Sequence, residues 1–380
     1  MPQVLVLGAG KIGSLVAGLL SASGQYHVHL ADLTLDAPKR LVDDLSLSAV
    51  TPCALDVRRP DAVAAYVSSS PFDAVISSLP YFCNPTVAEI ARAHQLHYFD
   101  LTEDVAVTGR VKAISAGADH AFIPQCGLAP GFISIVTNDL IGHFESIDNV
   151  KMRVGALPVH PSNALKYSLT WSTDGLINEY ANVCIGIEGG KEVPLQPLEG
   201  YETIELDGLL YEAFNTSGGL GTLCTALEGR VRELNYRTIR YVGHRDLMSF
   251  LLGELRLSER RDLLKDILER SIPVTFQDVV VTFCTVSGWR KGQLVQLSDA
   301  RKIYHQTWEG EIWSAIQITT AAGICAVLDL HAAGRLPSRG LVRQEQVDFQ
   351  EFIANRFGRH YEQAEATHFG SPPQPTADGA

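Results

Sequence analysis

Short apolar runs alternate with amphipathic helical segments over the first 125 residues of the chain. The run at residues 4–7 leads into a helical pattern at 14–20, and a second apolar run follows at 26–32. The alternation continues to a last predicted strand at 121–125. Strands that alternate with helices in this way predict a parallel, doubly wound sheet with helices on both faces. Ligands of such sheets collect at the carboxyl ends of the strands.

From residue 126 onwards the pattern changes, because strand-like segments dominate and most of them alternate polar and apolar positions. This alternation predicts a mostly antiparallel sheet with one buried face. The predicted strands lie at residues 149–157, 165–170, 203–206, 238–242, 274–285 and 301–308. An amphipathic helical region at 249–270 interrupts them, and an Ala- and Ile-rich helix follows at 312–330.

The two patterns predict an α/β chain of two domains, and 380 residues are enough to build a core in each. The doubly wound domain spans residues 1–125, and a second α+β domain spans 126–311. The segment at about 312–340 returns to complete the first domain. The tail at 370–380, rich in Pro, Ser and Ala, is predicted to be disordered.

The first strand opens directly into Gly8-Ala-Gly10-Lys-Ile-Gly13. In this spacing the first glycine permits a tight strand-to-helix turn, the second lets the backbone approach a pyrophosphate, and the third lets the helix pack on the strand. A glycine-rich turn without nucleotide is the alternative. The motif follows a strand and precedes a helix, which favours a Rossmann dinucleotide-binding domain. Lys11 and Ile12, between the last two glycines, belong to the predicted phosphate loop.

Asp32 ends the second apolar run, where an acid accepts hydrogen bonds from a ribose 2′-hydroxyl and repels a 2′-phosphate. No arginine follows at once, so NAD is the predicted cofactor rather than NADP. Two further loops are expected on the same edge of the sheet. The first supplies Asp56 and Val57, and the second supplies Ser78, Leu79 and Pro80 at the nicotinamide end, unless the latter is only a β-to-α turn broken by proline.

Charge and cysteine usage narrow the functional classes. The formal net charge of −12 argues against nucleic acid or an anionic membrane as the main partner. The seven cysteines are scattered and never form Cys-x-x-Cys, which predicts reduced thiols and no metal site. We find no secretory signal and no uninterrupted apolar run of about 18 residues, so a cytoplasmic location is expected.

Three acids follow the predicted strand at 97–100, within Asp100-Leu-Thr-Glu-Asp104. Thr102 and Glu103 are interpreted as helix-capping residues in preference to chemistry. For Asp104 the two interpretations stay open. Tyr81, in the preceding loop, is a candidate for the same edge of the sheet.

Polar and aromatic side chains are also dense at residues 166–180, which contain Tyr167, Trp171, Asp174 and Glu179. The two acids could face a cationic substrate, whereas Trp171 could equally be a core residue and Asp174 a helix cap. Further along, Arg240 and His244 lie four residues apart. Arginine can bind a carboxylate with two hydrogen bonds, and histidine can transfer a proton near neutral pH. An isolated surface arginine and histidine are the alternative.

These motifs, taken in order, resemble the saccharopine dehydrogenase superfamily, and within it the lysine 6-dehydrogenases most. The resemblance extends to about residue 340 and includes the following segments. They are the glycine loop, Asp56-Val57, Ser78-Leu-Pro80, Cys126-Gly-Leu-Ala-Pro-Gly131, the segment from Tyr167 to Tyr180, Thr216-Ser-Gly-Gly-Leu220 and the segment from Thr238 to His244. Glutamate-forming members tend to carry an arginine near the position of Asp174. The inverted charge here favours an ammonium group over a further carboxylate.

The resemblance implies NAD-dependent oxidation of the ε-amine of L-lysine to allysine, which cyclises to Δ1-piperideine-6-carboxylate, with release of ammonia. In this interpretation Asp104 or His244 is the base, Arg240 binds the carboxylate, and Asp174 and Glu179 face the ammonium end. Tyr81, Tyr167 and Trp171 line the pocket. A homodimer formed through the second domain is also implied. The alternatives are a glutamate-forming saccharopine dehydrogenase, a related amine or imine oxidoreductase such as one acting on carboxynorspermidine, and a catalytically silent NAD-binding regulatory protein.

Overall fold

The computed structural model describes residues 1–362, and the predicted tail at 370–380 lies outside the described residues. Strands and helices alternate in the first part of the chain. In order these are β1 Gln3–Leu7, α1 Lys11–Ala22, β2 His27–Asp32, α2 Asp36–Asp44, β3 Val50–Ala54, α3 Pro60–Ser68, β4 Ala74–Ser77, α4 Asn84–Ala93, β5 His97–Asp100, α5 Val105–Ser115 and β6 Ala121–Ile123. A single 3₁₀ turn, Tyr81–Cys83, links β4 to α4.

Longer strands follow in the second part of the chain. The elements are α6 Phe132–Ile141, β7 Ser146–Pro158, α7 Thr173–Ala181, β8 Cys184–Glu188, β9 Lys191–Leu195, β10 Glu202–Leu206, β11 Leu209–Asn215, α8 Leu223–Leu227, β12 Val231–Tyr241, α9 His244–Ser249, α10 Arg261–Ser271, β13 Asp278–Arg290, β14 Gln293–Tyr304, β15 Gln306–Trp308, β16 Glu311–Trp313, α11 Ala315–Ala332, β17 Gly340–Leu341 and α12 Phe349–Ala354.

Two large sheets organise these elements. The first has seven parallel strands in the order β17-β6-β5-β4-β1-β2-β3. The second has eight strands, with β10-β11-β12-β7-β13-β14 as its main path, and only the β12–β7 pair is parallel. The predicted fold class, a Rossmann-type parallel sheet followed by an α+β domain with a mostly antiparallel sheet, is therefore confirmed.

The order of the first sheet reverses at β1, which lies between β2 and β4. In doubly wound sheets the loops on either side of such a reversal open a crevice at the carboxyl edge. The loops after β1, β4 and β5 therefore meet at one edge, since β4 pairs with both other strands. This edge faces the second domain and positions the candidate site.

Helix α11 is buried and contacts both domains. It packs against α1 and β13, and thirteen of its residues, among them Cys325, are buried. Asp278 at the start of β13 accepts hydrogen bonds from the first two amides of α11, and Ser314 with Gln317 forms a capping box. Within residues 1–362, α11 is the one helix long and apolar enough on average to cross a membrane. Its burial explains that composition, because a helix that is apolar on all sides is typical of a core.

Three local predictions differ from the structure. Residues 165–170, predicted as a strand, have no regular secondary structure and place Tyr167 and Leu169 in the core. The predicted amphipathic helix at 249–270 is divided into α9, a π-helical turn Phe250–Glu254 and α10. The predicted returning helix begins three residues later, at Ala315, because Ser314 caps it there. Apolar periodicity does not register such breaks, because they depend on caps and tertiary packing.

The second sheet separates two sets of charged side chains. Successive residues of a strand point to opposite faces. Arg240 on β12 therefore faces the first domain, and Arg237 faces away from it. On this far face Arg237 lies beside Arg153 of β7, and Glu202 of β10 pairs with both guanidinium groups. The side chain of Arg153 is only 2% exposed.

Candidate active site between the two domains

The glycine loop has the geometry of a dinucleotide turn. Gly8 has a φ of +101°, and a Cβ there would lie 2.7 Å from the carbonyl oxygen of Ser78. At Gly13 a Cβ would lie 1.8 Å from the carbonyl oxygen of Gly8. Any side chain at either position would therefore push β1, α1 and the loop after β4 apart.

The start of α1 can hold a phosphate. Helix α1 begins at Lys11 and has no side-chain cap. Among the described residues no acceptor binds the amides of Lys11, Ile12 or Gly13. The position a Cβ would take on Gly10 has no atom within 4 Å. Free amides at a helix N-terminus beside open space form a ready anion site, so these residues fit a pyrophosphate.

Asp32 ends β2 next to this loop. One carboxylate oxygen accepts a hydrogen bond from the amide of Ala9 at 2.7 Å, and the other accepts one from Leu33 at 2.6 Å. The carboxylate is thus fixed at the edge where an adenosine ribose would lie. In the adjoining loop, after β3, Asp56 binds the guanidinium of Arg58 through two hydrogen bonds of 2.9 and 3.0 Å. The positive charge of Arg58 is therefore paired with the carboxylate of Asp56.

A cavity of about 590 Å³ lies between the two domains. Eleven of the residues predicted from the sequence line it. They are Gly10, Lys11, Ile12, Ser78, Leu79, Pro80, Tyr81, Trp171, Asp174, Glu179 and Arg240. The other predicted residues lie outside the lining. These are Gly8, Gly13, Asp32, Asp56, Val57, Asp104, Tyr167 and His244.

Two glutamates with raised pKa values line this cavity. Glu103 follows β5, and burial raises its pKa to about 7, with Asp104 and Asp100 adding to the rise. Glu179 lies on α7, and burial raises its pKa to about 8 against the lowering effect of Arg240. An acid with a pKa near the working pH is suited to proton transfer. The sequence interpretation of Glu103 as a helix cap is not what the structure shows, since that role belongs to Asp104.

Asp104 is held by two structural contacts. One carboxylate oxygen accepts a hydrogen bond from the amide of Val107 at 2.8 Å and caps α5. The other accepts one from the side-chain amide of Asn178 at 3.1 Å, which ties α5 to α7 across the domain boundary. Asp104 does not line the cavity, and each of its carboxylate oxygens accepts a hydrogen bond from one of these structural partners.

Arg240 is 3% exposed and directs its guanidinium along the cavity wall. Its Nε donates a hydrogen bond to the hydroxyl of Tyr180 at 2.7 Å, and Nη1 donates to the carbonyl of Ile239 at 2.8 Å. The rings of Tyr167 and Tyr180 lie 5.3 and 5.7 Å from its guanidinium carbon. Tyr167, predicted to line the pocket, therefore supports Arg240 from behind.

His244, one of the two predicted bases, lies behind this arginine. It is 1% exposed and makes no contact with the cavity. Burial and the neighbouring Arg240 lower its pKa to about 3, so the imidazole is neutral. Neither geometry nor ionisation suits it to remove a proton from a bound substrate.

Trp171, Asp174 and Tyr81 form the outer part of the cavity. Asp174 forms an ion pair of 2.6 Å with Lys265 of α10, and the two side chains are 44% and 37% exposed. The charge of Asp174 is therefore balanced in part at the rim. Lys265 is a site residue that sequence reasoning missed. It lies 91 positions from Asp174, and no local pattern links them.

Within residues 1–362 no group of three or more His, Cys, Asp or Glu side chains could hold a metal ion. The amides of α1 and the lining side chains provide an anion cradle, one free arginine edge and two carboxyl groups with raised pKa values around one cavity. This arrangement can bind a dinucleotide beside a small zwitterionic molecule and move a proton.

Comparison with known proteins identifies both domains. The family model of the saccharopine dehydrogenase NADP binding domain matches residues 4–121, and that of the saccharopine dehydrogenase C-terminal domain matches residues 127–361. A solved structure of apo saccharopine dehydrogenase (L-Glu forming) from Saccharomyces cerevisiae has the same fold. The TM-score is 0.77 over 93% of this chain and 97% of that chain, at 16% sequence identity.

Two curated proteins show the same relationship at the level of sequence. The mitochondrial alpha-aminoadipic semialdehyde synthase of Mus musculus is 23% identical over 256 residues, covering 62% of this chain and 27% of that protein. The saccharopine dehydrogenase (NADP(+), L-glutamate-forming) of Schizosaccharomyces pombe is 24% identical over 209 residues, covering 53% of this chain and 46% of that protein. The chain thus spans less than half the length of either relative. Since the two family models together cover almost all of the described residues, the chain belongs to the saccharopine dehydrogenase family of oxidoreductases.

Proposed function

We propose that this protein oxidises the ε-amine of L-lysine with NAD, giving allysine, ammonium and NADH. The observation that carries the proposal is the charge of the cavity. Arg240 is a buried cation with a free edge there, Glu179 is a buried acid and Glu103 a half-buried one. Lysine has one carboxylate and two amines, which matches this inner set of one cation and two acids, whereas the other charged lining residues, Lys11, Asp174 and Glu269, are more exposed or paired. Saccharopine has three carboxylates and would need further cations.

Arg240 and Glu179 are close enough for each charge to shift the pKa of the other. We assign the α-carboxylate of lysine to Arg240 and its α-ammonium to Glu179. An arginine is suited to this role because it can form two parallel hydrogen bonds to one carboxylate. The aliphatic part of the substrate would then extend past Trp171 towards the loop after β4.

Glu103 follows β5 and lines the cavity. Its strand, β5, pairs with β4, whose loop carries Ser78 and Tyr81. We assign Glu103 as the base that takes one proton from the ε-ammonium, because only the neutral amine can release hydride from its carbon. The dinucleotide, when bound to the α1 amides and Asp32, supplies the hydride acceptor. Water then adds to the resulting imine, and the carbon–nitrogen bond breaks to release ammonia.

A second candidate, glutamate-forming oxidation of saccharopine, is favoured by one observation. Lys265 is at the rim and is 37% exposed, so it could leave Asp174 and bind a further carboxylate. The S. pombe relative, a glutamate-forming saccharopine dehydrogenase by name, points to the same substrate. Lysine remains the better match because Lys265 is already paired, and releasing it would leave Asp174 facing the added negative charge.

The experiment is a set of parallel absorbance assays at the reduced-nicotinamide band. Purified protein is mixed with L-lysine or saccharopine, and with NAD or NADP, at pH 7 to 10. We expect a rise with lysine and NAD. A rise with saccharopine alone would replace the proposed substrate by the second candidate. Tight NADH binding without turnover of any amine would point to a catalytically silent NAD-binding protein instead.

Replacing Asp32 tests the choice of cofactor, because the matching family domain is described as NADP binding. We expect Asp32→Ala to weaken NADH binding by roughly 10- to 150-fold. This range corresponds to the loss of about 1.5–3 kcal/mol, which hydrogen bonds to a charged group contribute. NADPH binding should weaken less or improve, because the carboxylate no longer repels a 2′-phosphate. Fluorescence titration gives both dissociation constants.

Asp32→Asn is the control for this prediction, because an amide oxygen still accepts the hydrogen bond from Ala9. It should relax the preference for NADH while keeping the glycine loop in place. Unchanged affinity for both cofactors in the alanine variant would contradict the assignment of Asp32 to the ribose.

A further inference from the structure

A buried chain of hydrogen bonds runs from the second-domain core to the cavity. His244 Nδ1 lies 2.8 Å from the carbonyl oxygen of Leu165, and His244 Nε2 lies 3.1 Å from the hydroxyl of Tyr180. That hydroxyl in turn accepts a hydrogen bond from Nε of Arg240 at 2.7 Å. All three side chains are at most 3% exposed. The proposed reaction uses Arg240 alone, and leaves His244 and Tyr180 without a role.

The direction of every bond in the chain follows from its two ends. A carbonyl oxygen can only accept, so Nδ1 of His244 must carry the hydrogen. In the neutral imidazole Nε2 is then an acceptor, and the hydroxyl of Tyr180 must donate to it. The remaining lone pairs of that hydroxyl accept from Arg240, which can only donate. A single tautomer of His244 therefore satisfies the whole chain.

This chain leaves one edge of Arg240 free. Its Nε and Nη1 are bound, and the ring centroids of Tyr167 and Tyr180 lie 5.3 and 5.7 Å from its guanidinium carbon. Among the described residues Nη2 has no hydrogen-bond partner, yet it is not sealed from solvent, and the residue lines the cavity. Without the bond to Tyr180, none of the described residues would hold Nε, and the guanidinium plane could rotate away from the cavity.

We propose that His244 is a positioning residue, which through Tyr180 aims the free edge of Arg240 at the substrate's α-carboxylate. The inference rests on the proposed function for the identity of the carboxylate. It gives His244 a role other than proton transfer and makes Tyr180 a specificity-determining residue. Discrimination against amines that lack the carboxylate would depend on the hydrogen bonds from His244 through Tyr180 to Arg240.

The first test compares L-lysine with 1,5-diaminopentane, the same diamine without the carboxylate. The measured quantity is kcat/KM for each compound, or the inhibition constant of 1,5-diaminopentane if it is not oxidised. Tyr180→Phe and His244→Asn should each lower kcat/KM for lysine about 10-fold, mainly through KM, the effect of one charge-assisted hydrogen bond. The value for 1,5-diaminopentane should change less than twofold. His244→Gln, whose amide oxygen can replace Nε2, should recover most of the preference for lysine.

Phe214→Leu is the matched control, because the Phe214 ring stacks on His244 without a hydrogen bond. It should affect both substrates equally. Equal losses on both substrates for Tyr180→Phe as well would overturn the proposal and leave the cluster a purely structural role.

A second measurement does not depend on turnover. The ¹⁵N chemical shifts of the His244 ring should show a protonated Nδ1 and an unprotonated Nε2 between pH 6 and 9. An Nε2-protonated or charged ring would overturn the chain of bonds. If the wild-type protein shows this tautomer but does not oxidise lysine, the proposed function fails while the positioning chain stands.

Discussion

Replacing Glu103 by glutamine is expected to lower kcat for L-lysine by about 10²- to 10⁴-fold, the usual contribution of general acid–base catalysis. The amide keeps the size of the side chain but cannot take a proton from the ε-ammonium. NADH binding should not change, because Glu103 is not part of the α1 cradle or the ribose site. Steady-state kinetics and NADH titration on the same preparation measure both effects.

The pH profile makes this prediction more specific. Glu103 must be ionised to act as a base, and its pKa is raised to about 7. The rate of the wild-type protein should therefore rise as the pH passes upward through about 7, and this limb should be lost in Glu103→Gln. The substitution is not expected to unfold the protein. A carboxyl group whose pKa is raised on folding destabilises the folded protein once the pH rises above the pKa of that group in the unfolded state. The variant with a neutral amide should therefore be at least as stable as the wild-type protein at pH 8.

Glu89→Gln, on the exposed face of α4, is the control for the loss of one acid and should keep full activity. If Glu179→Gln removes the rate and Glu103→Gln does not, then Glu179 is the base and our assignment of the two acids is reversed. If kcat falls by no more than a few-fold in either variant, Glu103 and Glu179 are not the proton acceptors of this reaction.

Glu202→Gln is expected to destabilise the folded protein by about 1–3 kcal/mol, less than the loss of one partner of a fully buried ion pair costs, because Glu202 is 27% exposed. Glu202 pairs with Arg153 and Arg237 on the far face of the second sheet. Its replacement would leave two guanidinium groups facing each other without a counter-charge. One of them, Arg153, is buried and already has one nitrogen without a hydrogen-bond partner.

Chemical denaturation with urea gives the free energy of unfolding for this comparison. Glu205→Gln is the matched control, since Glu205 lies on the same strand but is exposed. It should change stability by no more than about 0.5 kcal/mol. A change below about 1 kcal/mol for Glu202→Gln would mean that solvent, rather than Glu202, compensates the two arginines.

Much of the fold is predictable because its signals are local. The glycine spacing from Gly8 to Gly13 leaves few conformations at the end of a strand, and the structure explains why, since a Cβ at either glycine would meet neighbouring backbone. Short apolar runs that alternate with helical segments indicate the parallel sheet, and strands that alternate polar and apolar positions indicate the antiparallel one. Glu179 and Arg240, which the family resemblance assigns to one site, both line the cavity.

The chemical roles within the site depend on contacts that no local pattern contains. Glu103 and Asp104 are adjacent acids before one helix, and either could cap it. The side-chain amide of Asn178, 74 positions away, and the cap bond to Val107 hold Asp104 outside the cavity. Glu103 is left to reach into the cavity and loses water, which raises its pKa.

The same distinction holds for His244. Its spacing from Arg240 suggests a proton carrier, but the sequence cannot show that residues 165–170 run as an irregular segment over it. That segment supplies the carbonyl of Leu165, and burial keeps the ring neutral. The two sheets, the dinucleotide turn and the residue types of the site can be predicted from the sequence alone, because they depend on short-range periodicity and steric limits. Which acid is free, which histidine is buried and which cation faces the cavity depend on the folded arrangement, because burial and long-range hydrogen bonds set ionisation and direction.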